Sequence, residues 1–393
     1  MANFNLKSET SQFRENEIFG NVPNFLFFFL RWSGFVEESD KKAKHRVSPR
    51  ILDILLFVTC VDVWVCMIIG SGIVDKILTI SYLSCHSISV LVWYRMRYKR
   101  QLITSLLHNI RMVDSSCYAR VINFLVFMNC CTTLLLPIIL LNQVIDREVL
   151  KFFFYGYELK ISWLVTALSL LKYFLDYVLY PCATNIVVLF YISLCWHCSL
   201  QINRLSEKIA RYTPKKFKKP KQLDILKNKA KIDKELQSIQ SIFSMPMFLI
   251  IVGNFLICCA QLGGALIKIE FHEDNLIFIF YFINAVLCIV TTLWVAGSVP
   301  IQMSRFKEVF HQVTRERLLY YHTTDELHLK MDLFHEPEFV FTGCNIISYR
   351  RNTILGLIGT LLTYTVLALS LDGSYTTCKY SPSNVTTDDL AHA

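Results

Sequence analysis

Seven apolar stretches, each long enough to cross a lipid bilayer, constrain this chain more than any other feature: 52–74, 77–94, 121–143, 173–198, 245–267, 276–300 and 346–371. A helix rising ~1.5 Å per residue needs about 20 apolar residues to traverse a ~30 Å hydrocarbon core. Soluble core helices rarely run so long without charge. The pattern therefore predicts an all-α membrane protein with seven transmembrane helices. Composition agrees, with 53% of the 393 residues hydrophobic and 18% charged, against roughly 25% charged in soluble domains. The 29 Phe and 18 Tyr demand burial, which excludes a disordered chain. Segment 77–94 is the shortest of the seven and rich in serine.

Lys and Arg are retained on the cytosolic side of a membrane, so their distribution sets orientation. Of the 40 basic residues, 33 fall in 1–51, 95–120, 199–244, 301–345 and at Arg350 and Arg351. Only seven fall between the alternate spans. This predicts a cytoplasmic N-terminus and an extracellular C-terminus, and excludes the opposite arrangement of G-protein-coupled receptors. It also requires one crossing, not a hairpin, within 161–198, with 161–172 as a lead-in. Residues 1–24 carry five charges and lack the pattern of a secretory leader. The expected organisation is a cytoplasmic segment 1–51 with an interfacial helix around 22–35 and a six-helix bundle 52–300 containing a basic cytosolic loop 199–244. A cytosolic anchor segment 301–345, a final helix 346–371 and an extracellular tail 372–393 with a glycosylation sequon at Asn384 follow.

The cytosolic parts show two apolar stripes at helical spacing: Ile232, Leu236, Ile239 and Phe243, then Met303, Phe306, Phe310 and Val313. They are expected to pack on each other below the membrane as a hub for subunit contact. The run KKFKKPK at 215–221 reads as attraction to the anionic inner leaflet.

Nothing in the chain reads as an active site, so it is not expected to be an enzyme. There is no GxSxG, HExxH or phosphate-binding loop. Cys195-Trp196-His197-Cys198 has CxxC spacing but sits at the inner end of a span, without redox context. His322, His328 and His335 with Asp325 and Asp332 read as solvated loop residues rather than metal ligands. No metal, cofactor or nucleic-acid partner is implied. The 14 cysteines lie mostly within spans, which excludes a secreted disulfide framework.

Two acids fall within the spans, where an ionisable group is costly and calls for a partner or a function. Asp176 has Lys172 one turn away, and a local Lys172–Asp176 pair is the plainer expectation. Asp62 has no partner by spacing and is expected to line a polar cavity or hydrogen-bond to a neighbouring helix. The outer halves of the spans collect Tyr82, His86, Tyr177, Tyr180, Gln261, Tyr281 and Asn284. Apolar walls with a few polar groups suit a small-molecule pocket; interfacial tyrosines and ordinary helix packing are the alternative.

The strongest local signal is FTGCNIISYRRNTILGLIGTLLTYTVLALSL at 341–371. It resembles the C-terminal signature of arthropod gustatory receptors: Phe341, Gly343, Cys344, Ile347 and Arg351 fall at the family's distances before Thr363-Tyr364. Ser370-Leu371 replaces the usual Gln-Phe ending. FLFFFLRWSGF near the start is similar to the family's N-terminal segment. The resemblance implies a tastant-gated, non-selective cation channel in the plasma membrane of sensory neurons. It further implies a homotetramer whose last helices line a central pore, with cytosolic helices holding the subunits together. It implies an outward-facing pocket in each subunit among the second to sixth helices. By position, Thr363 and Tyr364 take the signature pair, Ser370 the pore-facing polar place, and Leu367 the hydrophobic constriction. Sugar-sensing members often carry an acid after Thr-Tyr; here it is Thr365. A secondary transporter and an auxiliary, non-conducting subunit are the competing readings.

Overall fold

A computed structural model describes residues 24–36, 48–69, 76–110, 116–143, 154–155, 157, 162–267, 275–321 and 337–379. Within these the chain is almost wholly helical. The helices are α1 (Asn24–Trp32), α2 (Ser48–Ile69), α3 (Lys76–Tyr98), α4 (Arg100–Asn109), α5 (Ser116–Gln143), α6 (Ser162–Tyr177), α7 (Ala183–Ala210), α8 (Lys219–Ile267), α9 (Asn275–Ala296), α10 (Ser298–Tyr321) and α11 (Arg351–Lys379). A small hairpin, β1 (Thr342–Gly343) and β2 (Ile347–Ser348), precedes α11.

Among the described residues the apolar stretches are helical over most of their length; the last is not helical at its expected start, where Ile347–Ser348 form β2 and the helix begins at Arg351. Five helical runs among the described residues are long and apolar enough to cross a membrane: Arg50–Ile69, Tyr118–Ile139, Trp163–Ala210, Lys219–Gly263 and Ile279–Tyr320. The stretch from 162 to 210 is one run broken by a π-helical turn at Val178–Cys182, where Tyr180 leaves helical geometry (φ −144°, ψ 125°) ahead of Pro181. The break has a physical cause, since a proline inside a helix removes a backbone donor and crowds the preceding turn. The sequon at Asn384 and the 322–335 histidines lie outside the described residues. α11 continues past the expected boundary at 371 to Lys379.

α1 shows why the N-terminal aromatic segment folds against the bundle. Leu26 and Leu30, four apart, are fully buried, while Phe25, Phe28 and Trp32 stay exposed. α1 lies on α5, and the Phe25 amide donates to Asn123 Oδ1 at 3.1 Å. Gly34, at φ 71°, closes the helix in the left-handed conformation that glycine adopts without penalty. Arg97 on α3 donates to the carbonyls of Ser33 and Gly34 at 3.2 Å each and pairs with Asp53 at 2.9 Å. Trp93 donates to the same carboxylate at 2.8 Å.

α8 is the organising element. Its 49 residues would run roughly 70 Å if straight, more than twice what a bilayer crossing needs. It packs on α3, α7, α9 and α11. Both expected apolar stripes are buried, but not principally on each other: α8 and α10 each pack on α7. Phe243 makes an edge contact with Phe190 on α7 at 5.3 Å. Phe310 makes one with Phe217, in the α7–α8 loop, at 5.5 Å. The stripes are consumed inside the chain, so they do not themselves form the surface of a subunit hub.

The FTGCN motif forms the hairpin. Cys344 and Asn345 take φ of 51° and 59° at its turn, and Gln240 on α8 clamps it. Gln240 Nε2 donates to Thr342 O at 2.8 Å and to its Oγ1 at 2.7 Å, and Gln240 Oε1 accepts from the Thr342 amide at 3.1 Å. Ser244 adds a bond to Thr342 O at 3.0 Å. At Gly297, between α9 and α10, an added Cβ would lie 2.8 Å from the Arg351 amide. Only glycine lets the base of α11 approach so closely. The Arg351 guanidinium lies 4.3 Å from the Trp294 ring centroid, which also fixes that base.

Candidate functional site

Asp176, at the end of α6, is only 9% exposed. It does not pair with Lys172. The Tyr82 hydroxyl donates to Asp176 Oδ2, and His86 Nε2 lies 2.7 Å from Oδ1, off the line of a good hydrogen bond. His86 Nδ1 sits 2.8 Å from the Tyr82 carbonyl, which can only accept, so the ring carries its proton there. Tyr82 and His86 together are the partners that make this buried acid tolerable. Lys172 turns instead to Asp62 on α2, at 3.0 Å. Tyr155 donates to the same Asp62 oxygen. Asp62, without a partner by spacing, thus finds one on a neighbouring helix, 110 residues on in sequence.

Around the Asp176 pair the tyrosines gather. The Tyr82 and His86 rings are 4.2 Å apart and His86 and Tyr180 5.8 Å. Tyr281 on α9 stacks on both Tyr177 and Tyr180, each at 5.9 Å. The Tyr180 hydroxyl donates to Asn254 Oδ1 on α8 at 3.0 Å. Tyr177, Tyr180 and Tyr281 form one apolar cluster with Cys85, Leu136, Ile257, Cys258 and Ala285, and Leu361 of α11 packs against it. Five of the seven expected pocket residues thus meet, drawn from α3, α6, the π turn and α9. Asn284 belongs to a neighbouring chain of amides: Asn185 Nδ2 donates to Asn129 Oδ1 at 3.0 Å and to Asn284 Oδ1 at 2.9 Å. Gln261 joins none of these hydrogen bonds. Asp176, Asn254, Asn129 and Asn185 escaped the sequence reading as pocket residues. Their common signal is a polar side chain inside an apolar span.

α11 presents three faces at 3.6 residues per turn. Ile354, Leu357, Leu361, Tyr364 and Thr365 turn toward the chain's own bundle, where α11 packs on α8 and α9. A Cβ on Gly263 of α8 would lie 3.7 Å from the Tyr364 hydroxyl. Leu355, Ile358, Leu362 and Val366 form an exposed apolar face. Between them, Asn352, Gly356, Gly359, Thr360, Thr363 and Leu367 form an exposed face of small and polar residues with a single bulky apolar member. Nothing would meet a Cβ at Gly356 or Gly359 within 4 Å. Thr363 bonds its own helix at Gly359 O, at 2.9 Å. Ser370 follows Leu367 by three residues on the same helix. Asn352 and Thr360 extend the polar row that Thr363, Leu367 and Ser370 suggested.

In the amino-terminal half of α8, Glu235 is buried. Desolvation pushes its carboxyl up to about 7, countered in part by Lys231. Its Oε2 has no hydrogen-bond partner among the described residues. No group of histidines, cysteines and acids among the described residues could hold a metal ion.

The fold is shared with solved chemoreceptors. The insect olfactory receptor OR5 from Machilis hrabei superposes with a TM-score of 0.66 at 14% identity, over 88% of this chain and 97% of that one. The same receptor in complex with eugenol superposes with a TM-score of 0.62 at 15% identity, over 91% and 98%. Identity this low establishes common architecture and no more. No curated protein matches the sequence. The sequence profile described as trehalose receptor matches residues 161–379, from the start of α6 through the clamped hairpin to the end of α11. With more than half of the chain under that profile, and the 341–371 signature inside it, the protein belongs to the trehalose receptor family of insect gustatory receptors.

Proposed function

We propose that this chain is the subunit of a tastant-gated, non-selective cation channel of the plasma membrane, assembled as a homotetramer. In this reading it crosses the bilayer seven times with its N-terminus inside. The three-faced α11 carries the proposal. A helix that only filled a bundle would need one apolar stripe. One face toward its own bundle, one small and polar, and one apolar suit a helix placed between its own subunit, an aqueous axis, and lipid or a neighbour. Leu367, alone among small and polar residues, is placed to close the axis by dewetting, while Asn352, Thr360, Thr363 and Ser370 offer oxygens to a passing ion. Membership in a family whose members are ligand-gated cation channels, and not enzymes, supports this.

The agonist site is the tyrosine cluster with the Asp176–His86 pair. With the acid already held by Tyr82 and His86 and rings lining the cluster, the site suits an uncharged polar molecule that stacks on rings and hydrogen-bonds at its edges. The family's description makes trehalose the first compound to try. Leu361 joins this cluster to α11. Agonist would open the pore only to the extent that it binds the open arrangement better than the closed one.

The test is recording from cells that express this chain alone, with trehalose and then a panel of sugars and plant metabolites. Agonist-evoked cation current supports the proposal. Absence of current across the panel, with the protein shown at the cell surface, overturns it as a stand-alone channel.

A further inference from the structure

The amide chain Asn129–Asn185–Asn284 has a direction, and the direction is forced. Asn129 on α5 donates through Nδ2 to the backbone carbonyl of Cys182, in the π turn, at 3.4 Å and to its Sγ at 3.2 Å. A carbonyl only accepts, so Asn129 must turn its Oδ1 to Asn185. That oxygen accepts from Asn185 Nδ2 at 3.0 Å. The second hydrogen of the same amine goes to Asn284 Oδ1 at 2.9 Å. Asn284 must therefore turn its own amine away from the chain. That amine is buried and has no hydrogen-bond partner among the described residues. Asn284 lies one helical turn from Tyr281, which stacks on Tyr177 and Tyr180.

A buried donor left unpaired destabilises the fold that holds it. Here three asparagines from three helices hold one in place beside an aromatic cluster. We propose that Asn284 Nδ2 is a ligand-recognition donor, aimed by Asn129 and Asn185 as positioning residues. The agonist it selects bears an acceptor oxygen, as a hydroxyl, ether or carbonyl, that reaches the α9 side of the tyrosine cluster. This rests on the receptor reading above and adds to it the chemistry of one contact.

The test has two arms on the full-length protein in detergent and in cells. In the first, the melting temperature of the unliganded protein is read. Asn284→Leu removes the orphaned donor but strands one hydrogen of Asn185 in exchange, so the melting temperature is expected to stay near wild type. Asn185→Leu strips two carbonyl oxygens of their donor and is expected to lower it by several degrees. In the second, concentration–response curves are taken for trehalose and for every other compound that opens the wild-type channel. Asn284→Leu is expected to raise the half-maximal concentration at least about tenfold, and Asn185→Leu by a smaller factor, because the Asn284 amide can then turn over. A melting temperature that falls as far with Asn284→Leu as with Asn185→Leu overturns the proposal, since the donor is then already satisfied. Unchanged potency in Asn284→Leu overturns it equally. If no compound opens the wild type, the receptor reading has failed, and the thermal arm still decides whether the donor is orphaned.

Discussion

Lys172 on α6 places its ammonium 3.0 Å from Asp62 on α2 and 4.3 Å from the ring centroid of Tyr155, not on Asp176 one turn along its own helix. Both members of the pair are about three-quarters buried as side chains. Removing one member strands the other in a poorly solvated place. Lys172→Met is expected to lower stability by about 1–3 kcal/mol, read as a lower melting temperature or reduced surface expression. The exchange Asp62→Lys with Lys172→Asp should recover most of the loss. Lys172→Met combined with Asp176→Asn should recover none, because Asp176 is held by Tyr82 and His86. Recovery in that second double variant would restore the local pairing.

This exchange of partners shows where the sequence ran out. The long apolar helices followed from apolar length, and the burial of the stripes at 232–243 and 303–313 from their helical spacing. The residues that meet at the candidate site come from α3, α6, α7 and α9, and no spacing along the chain says which helices are neighbours. Asp176 was visible as an acid in a span, yet its nearest base in sequence was the wrong one. The break at Tyr180 had a local sign in Pro181, but nothing local shows that it would turn Tyr180 onto Tyr281 and Asn254. The 341–345 motif was legible as a family signature. Its physical meaning, a hairpin clamped by Gln240, required the fold.

That clamp makes Gly343 intolerant of any side chain. A Cβ there would lie 3.0 Å from Phe248 Cβ and closer still to the Tyr349 hydroxyl. Gly343→Ala is expected to destabilise the protein by about 1–3 kcal/mol through overpacking. Adding Tyr349→Phe removes the nearest atom and should return part of the loss. Gln240→Ala, which deletes the three bonds to Thr342, should cost a comparable amount by leaving Thr342 groups unpaired. Thermal unfolding of the three variants checks the set; an undiminished melting temperature in Gln240→Ala would show the clamp to be dispensable.

Glu235 gives the amino-terminal half of α8 a pH dependence whose sign follows from its burial. Its folded-state carboxyl is pushed by desolvation from 4.5 up to about 7, so between those values the folded chain holds a proton that the unfolded chain has released. Its contribution is therefore most favourable at or below pH 4.5 and is lost as pH rises through about 7. The amount is on the order of 3 kcal/mol. Melting temperature measured from pH 5 to 8 should fall with rising pH. Glu235→Gln should flatten that slope and be the more stable protein at pH 8. An equal slope in both would assign the dependence to other groups.

In the proposed channel, gating and packing on α11 can be told apart by a shift of one residue. Leu367 and Val366 are adjacent, exposed by 56% and 66%, and lie on different faces. If Leu367 forms the constriction, Leu367→Ser puts a hydroxyl where a dewetted ring must form, and the closed state should leak. Basal current several-fold above wild type, with reduced further gain from agonist, is the expected result. Val366→Ser makes a change of the same kind, one methylene smaller, on the apolar face shared with Leu355, Ile358 and Leu362. It should leave basal current near wild type and act, if at all, on the amount of assembled protein recovered. The comparison removes the general objection that a serine in a membrane helix disturbs everything, since both variants carry one. Equal leak from Val366→Ser and Leu367→Ser would mean that neither face is aimed at an ion path. Leak from Val366→Ser alone would rotate the pore-facing side of α11 onto its apolar row and remove Leu367 from the gate.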